Sequence, residues 1–177
     1  MANSAPRPTL HTARLALRAL NADDAPRLEH LANDAGVARM TTSIPHPYPD
    51  GAARGFIECV TRRDGERAGV FAVEVLDQGF AGIVGFHPDA TGTPEIGYWL
   101  GRPFWGQGYM TEAVRAALVW AGGDWGKRYV RSGHFADNPA SGAVLVKAGF
   151  LYTGDVSPRF SIARGETAAT RMMVWLA

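Results

Sequence analysis

A chain of 177 residues with 46% hydrophobic content is long enough to bury a core of its own and fits one domain. Its 18 Lys and Arg against 17 Asp and Glu give a formal net charge of +1, so no global field directs it to nucleic acid or an anionic membrane, and neither is expected as a partner. No run approaches the roughly 20 apolar residues of a membrane span, and the start, MANSAPRPTL, lacks the apolar stretch of a secretory signal, which makes the cytoplasm the default compartment.

Residues 1–8 read as a flexible tail ahead of a domain over 9–177. Arg14 to Leu20 (RLALRAL) alternates polar and apolar residues at period two, the pattern of a half-buried strand. Asp23-Asp24 then open a helix through Leu28 and Leu31 that Gly36 closes. Thr41 to Pro49 (TTSIPHPYP) has three prolines in five residues from Pro45 onward, which forbids helix and predicts an extended surface loop of the kind that carries specificity. Asp50 caps a second helix to about Arg63. The single cysteine, Cys59, falls in its apolar-periodic stretch (Phe56, Ile57, Cys59, Val60) and reads as buried filler, with no partner for an internal disulfide.

Val70 to Val75 is the next strand, with a turn at Asp77-Gln78-Gly79 and a hairpin partner from Phe80 to Phe86. Glu95 to Leu100 gives another strand. It leads into Gly101-Arg102-Pro103-Phe104-Trp105-Gly106-Gln107-Gly108-Tyr109, after which Met110, Val114, Ala117, Leu118 and Ala121 form one apolar helical face. Tyr129 to Phe135 is a strand, Asn138-Pro139 starts a helix with a capping residue and Pro at its first position, and Gly149 ends it. Thr167 to Trp175 is the terminal strand, and there is room for one more near Leu151. The order βααβββαβαβ predicts an α+β domain with a mixed sheet.

A glycine loop between a strand end and a helix start turns backbone N–H groups outward, where the helix dipole adds about half a positive charge and welcomes an anion. GRPFWGQGY brackets four residues with glycines as a nucleoside-triphosphate loop does, but Gln107-Gly108 stands where Lys and a hydroxyl residue would be, so it is poorly equipped for a γ-phosphate and its Mg²⁺. The dinucleotide pattern also fails, because Thr111 replaces its third glycine. On the loop alone, an anion cradle and an ordinary tight turn are equally good readings.

Read together, EIGYWLGRPFWGQGYMTEA (Glu95 to Ala113) and NPASGAVLVKAGF (Asn138 to Phe150) resemble the GNAT superfamily of acyl-CoA-dependent N-acetyltransferases, specifically its RimJ/RimL-like branch. TARLALRAL, DDAPRLEHLA and IPHPYP extend the resemblance over nearly the whole chain. It implies a single-domain fold with a central mixed, strongly twisted β-sheet flanked by helices, opened by a splay between two parallel strands, here Glu95 to Leu100 and Tyr129 to Phe135. It implies acetyl-CoA as cosubstrate, with no metal, and a primary amine as acceptor, either a protein N-terminal α-amine or a small molecule. The alternative is a non-enzymatic acyl-CoA-binding or regulatory module. Monomer and homodimer are both compatible with the sequence.

By the same resemblance, Trp105, Gly106, Gln107, Gly108, Tyr109 and Met110 hold the coenzyme A pyrophosphate, chiefly through backbone amides, and Tyr98 and Leu100 lie along the pantetheine arm. Asn138 is placed near the pantetheine or acceptor, and Ser141 near the thiol. The superfamily's usual loop pattern begins with Gln or Arg, whereas Pro103 holds that position here, beside Arg102. Glu95 is the candidate base, acting directly or through water. Leu145 stands where many members carry a tyrosine that protonates the thiolate, which leaves Ser141, or water held by it, as the replacement.

Three other readings are structural. Asn138 and Ser141 can cap a helix as well as serve a site. Glu112 complements the dipole in a first helical turn. Trp99, Trp105 and Tyr98 crowd one strand and loop without interleaved basic residues, so they read as core or wall rather than a base-stacking platform. His46, His87 and His134 have no metal-ligand spacing with one another or with Cys59, while His87 and His134 sit on strands that could reach substrate.

Overall fold

The computed structural model describes residues 8–62 and 69–177. Its strands are β1 (Leu10–His11), β2 (Leu15–Arg18), β3 (Val70–Val75), β4 (Gly79–Pro88), β5 (Pro94–Leu100), β6 (Tyr129–Phe135), β7 (Leu151–Ser161) and β8 (Glu166–Leu176). Its helices are α1 (Ala25–Ala32), α2 (Ala35–Ala38), α3 (Ala52–Arg62), α4 (Tyr109–Gly122) and α5 (Pro139–Lys147). The strands form one mixed sheet of eight in the order β1-β2-β3-β4-β5-β6-β8-β7. Seven residues of the expected tail, and Arg63 at the expected end of α3, lie outside the described residues.

Only β5 and β6 run parallel, and they pair at a single register point, Glu95 opposite Arg131. Beyond it the strands part. The Ser132 hydroxyl donates to the Ile96 carbonyl at 3.0 Å, so a side chain takes a ladder acceptor that a backbone N–H would otherwise use.

Alternation fixes the two faces of the sheet. Phe71, Val84, Phe86, Ile96 and Leu100 are buried on the face covered by α4, where Trp120 packs edge-on to Phe71 with centroids 5.3 Å apart. The opposite face carries Ile83, Gly85 and His87 of β4 opposite Trp99, Gly97 and Glu95 of β5, beneath α1 and α3.

One expectation about the elements needs correction, and another is borne out. The first helix does not run to Gly36: it stops at Asn33, and Asp34 caps α2 by accepting from the N–H groups of Gly36 and Val37 at 2.7 and 3.1 Å. Gly36 lies under the Arg102 side chain that pairs with Asp34: a Cβ there would stand 2.1 Å from its guanidinium, which would have to shift. The room left near Leu151 holds an eleven-residue edge strand, β7, whose register shifts between Tyr152 and Val156 around Gly154. Its residues are exposed on both faces for most of its length, so no period-two pattern marks it.

Thr41 to Pro49 is irregular, as expected, but it is packed rather than simply exposed. Ile44 is buried, the Thr41 carbonyl accepts from the Ser161 hydroxyl at 2.8 Å, and the Tyr48 N–H donates to Asn33 at 2.9 Å. The loop thereby closes the space between α1 and the end of β7.

Candidate active site

The glycine loop ends in a helix start that no side chain caps. Gly108 is the N-cap of α4 in left-handed conformation (φ 80°), and Gly106 shares that conformation (φ 74°) with nothing within 4 Å of where a Cβ would stand. The N–H groups of Tyr109, Met110 and Thr111, in the first turn, have no intrahelical acceptor. The loop is braced from behind. Trp105 donates its indole N–H to the Leu100 carbonyl at 2.7 Å, Gln107 folds its amide back to the Pro103 carbonyl at 2.9 Å, and Arg14 donates to the Gln107 carbonyl at 3.0 Å. Glu112 accepts from the Thr12 hydroxyl at 2.6 Å and from Arg14 Nε at 2.8 Å, tying the β1–β2 turn to α4. Open backbone donors on a fixed frame, with no Lys and no metal-holding hydroxyl, fit a diphosphate.

The structure therefore divides the loop residues. Gly106, Gln107 and Gly108 are exposed or nearly so, and Trp105 is half exposed. Leu100, Tyr109 and Met110 send their side chains into the core, which leaves only their backbone for a ligand.

At the splay, Tyr98 and Ser141 come together across 43 residues of sequence. The Tyr98 hydroxyl lies 3.0 Å from the Ser141 carbonyl and 2.9 Å from Ser141 Oγ. Burial pushes the Tyr98 phenol well above its ordinary range, against the opposing hydrogen bond with Ser141, so it keeps its proton at neutral pH. When Tyr98 donates to the carbonyl, the Ser141 hydroxyl hydrogen is left to donate elsewhere. Asn138 is the N-cap of α5, as expected, accepting from the Ser141 backbone N–H at 3.2 Å. Leu145 is fully buried on the same helix.

Beside them lies a pair that the sequence does not announce. His134 is buried with Nδ1 at 2.8 Å from the Phe135 carbonyl, to which it donates, and Nε2 lies 3.0 Å from the Tyr152 hydroxyl. Gly142 makes the room: a Cβ there would lie 2.7 Å from His134 Nε2.

On the other face, Glu95 is buried, and Arg159 of β7 grips both of its carboxylate oxygens, with Nη2 to Oε2 at 2.8 Å. The hydrogen bond to Glu95 holds the Arg159 guanidinium above its ordinary pKa. His87 Nε2 stands 3.8 Å from Glu95. Arg159 is the clearest residue that sequence reading missed, because it sits in SPRFS, between Pro158 and Phe160, with no periodic pattern to place it.

One cavity of about 680 Å³ joins these groups, lined by Ser141, Tyr98 and His134 from one side of the sheet and by Glu95, Arg159 and Trp99 from the other. It passes through the gap between β5 and β6. Cys59 is half-buried and lines this cavity rather than filling the core. His46 lies outside the lining, and among the described residues no cluster of His, Cys, Asp and Glu is placed to hold a metal.

The acetyltransferase (GNAT) domain model matches residues 14–151. The chain belongs to the GNAT acetyltransferase family. It is 34% identical over 115 residues to an uncharacterised N-acetyltransferase, p20, of Bacillus licheniformis, an alignment that spans 62% of this chain and 64% of that relative. Its fold is similar to that of RimL, a ribosomal-protein α-N-acetyltransferase solved with coenzyme A (20% identity, 96% of this chain and 98% of that one, TM-score 0.81). A spermidine N-acetyltransferase of Vibrio cholerae, solved with CoA and spermine, is also similar (18% identity, 93% and 96% coverage, TM-score 0.76). The GNAT fold expected from the two motifs is the fold observed, including the parallel β5–β6 pair that opens into the splay.

Proposed function

We propose that this chain is an acetyl-CoA-dependent N-acetyltransferase that moves the acetyl group to a primary amine by direct attack, without a covalent enzyme intermediate. The carrying observation is the continuous cavity: it runs from the Tyr98–Ser141 pair, through the parted strands, to a buried carboxylate on the far face. Two reactants can meet there from opposite faces of the sheet, which is the arrangement that direct transfer needs.

Bound acetyl-CoA supplies the activated acyl carbonyl. The first-turn N–H groups of α4, with those of Gly106 to Gly108, hold the pyrophosphate, and the exposed edges of β5 and β6 guide the pantetheine arm. Glu95, oriented by Arg159, accepts the ammonium proton directly or through water. Ser141 donates a hydrogen bond to the departing sulfur, with Tyr98 fixing its hydroxyl, so the role left vacant at Leu145 passes to a hydroxyl on the same helix. A ribosomal-protein N-terminus and a polyamine are the acceptor classes carried in the names of the two solved neighbours, and both are primary amines.

A non-catalytic acyl-CoA-binding module is the competing reading, favoured by one observation: both oxygens of Glu95 are already engaged by Arg159. Incubation with acetyl-CoA and a panel of amines, following free thiol, separates the two. Amine-dependent thiol release is expected; coenzyme A binding without release with any amine would leave the binding module. In a parallel thermal-shift measurement, coenzyme A raises the melting temperature and ATP with Mg²⁺ does not, since the loop lacks the Lys and hydroxyl for a γ-phosphate and its metal.

A further inference from the structure

The acceptor half of the cavity has an unusual charge balance for a site that receives a cation. Among the described residues that line it, Glu95 and Arg159 are the only Asp, Glu, Lys or Arg, and they neutralise one another. The rest of the acceptor side is mainly apolar and aromatic, with Phe56 and Val60 of α3, Ile44 and Tyr48 of the proline loop, and Ile83 and Trp99 of the sheet, interrupted by His87 and by Thr41, Thr42 and Ser43. Its floor is a trough, because Gly85 and Gly97 face each other across β4 and β5. A Cβ on Gly97 would meet only the His87 ring, at 3.6 Å, and otherwise enter the cavity.

We infer that the acceptor is a monoamine with an apolar or aromatic body, and that polyamines are excluded. This deepens the acetyl-transfer reading and rests on it. One ammonium group can approach the Glu95 carboxylate. A second or third ammonium group on the same molecule would find no further carboxylate in the cavity lining to pair with it, and an unpaired buried charge is strongly disfavoured. An apolar body gains from the same walls, in proportion to the area that it removes from water. Two sources share this chemistry, a free arylalkylamine and a peptide whose first residue is bulky and apolar.

The test is steady-state acetyl transfer with acetyl-CoA to 2-phenylethylamine, a hexapeptide beginning with Phe, a hexapeptide beginning with Ser, and spermidine. Both apolar acceptors are expected to exceed spermidine in kcat/KM by about tenfold or more, the scale on which an apolar pocket discriminates. Preference for the Phe peptide over 2-phenylethylamine would assign the peptide source, and the reverse the free amine. Phe56 is 38% exposed at the cavity wall, so Phe56→Glu can be made without opening the core. It is expected to cut the apolar-to-spermidine ratio at least tenfold by adding the missing carboxylate. Gly97→Val is expected to depress 2-phenylethylamine turnover while coenzyme A affinity, read by calorimetry, stays within about twofold.

Wild-type kcat/KM for spermidine equal to or above both apolar acceptors would overturn this inference and leave acetyl transfer standing. Preference for the Ser peptide over both apolar acceptors would do the same. Coenzyme A binding with no thiol release to any of the four would overturn the acetyl-transfer reading itself, and this one with it.

Discussion

The two halves of the proposed site, the glycine loop outside the cavity lining and the acceptor half within it, are built on different principles. The proposed cradle is local: Trp105 to Thr111 offers its donors from one continuous stretch, most of them backbone N–H groups, and the side chains of Trp105 and Gln107 brace it. The acceptor half is assembled from α1, α3, the proline loop, β4, β5 and β7, and its one charged pair joins residues 64 apart in sequence. A diphosphate asks only for a concave run of donors, which a single turn can provide. Recognition of a particular amine needs side chains arriving from several directions. The difference predicts that substitutions on the two halves will separate binding of the cosubstrate from turnover of the amine.

The largest effect is expected on the acceptor half. Glu95→Gln should lower kcat on the order of 10²-fold at low pH, within the range of general-base contributions, and the loss should shrink as pH approaches the acceptor's pKa and more of the amine is already neutral. Coenzyme A affinity should be unchanged. A pH–rate profile with calorimetry checks both, and wild-type turnover across the whole range would remove Glu95 from the mechanism.

On the cradle, Gly108→Val places a β-branched residue at φ 80°. Left-handed backbone costs a non-glycine residue roughly 2 kcal/mol, so the free loop should relax out of it and, having to recover it on binding, hold coenzyme A about 30-fold more weakly. Unchanged affinity in a variant with native circular dichroism would mean that this loop is not the cradle.

Ser141→Ala sits at the junction of the halves and should lower kcat by about tenfold, because water replaces a hydrogen-bond donor in part. The α5 cap should survive, since Asn138 accepts from the Ser141 backbone N–H and not from its hydroxyl. An unaltered melting temperature beside the reduced rate would confirm that the hydroxyl acts on the reaction. An unaltered rate would assign the sulfur contact elsewhere.

The smallest effect lies outside both halves, in the β4–β5 turn. Hydrogen bonds from the Thr91 hydroxyl first, then from the N–H groups of Thr91 and Thr93 and from Arg131, hold the Asp89 carboxyl down at about 2. A depressed folded-state pKa gives stability that is present above the ordinary value of 3.8 and is lost as pH falls through about 2. Asp89→Asn should therefore flatten the fall in stability between those values, in urea melts taken at several pH values, and leave kcat at neutral pH unaltered.

Much of the fold was legible because its signals are short-range. A period-two run marked β2, strands were also legible at β3, β5 and β6, an apolar stripe marked α4, and Asn138-Pro139 marked the start of α5 to the residue. Where the reading failed, the missing information was also physical. The break between α1 and α2 depends on Asp34 capping and on Arg102 packing over Gly36 from 66 residues away, and nothing in Asn33 to Gly36 alone forces it. The edge strand β7 carries Gly154 and Pro158 and buries neither face for most of its length, so it lacks the alternation that reveals β2.

The sequence by itself determined the glycine loop and the strand and helix that frame it, because each depends on residues within a turn or two of one another, and two such local motifs carried the family resemblance. Tertiary structure alone decided that Glu95 faces Arg159, that Tyr98 meets Ser141, and that His134 meets Tyr152. Those contacts depend on strand order and register. A shift of one residue in β7 would turn Arg159 to the other side of the sheet, and no local pattern in its own strand fixes that register.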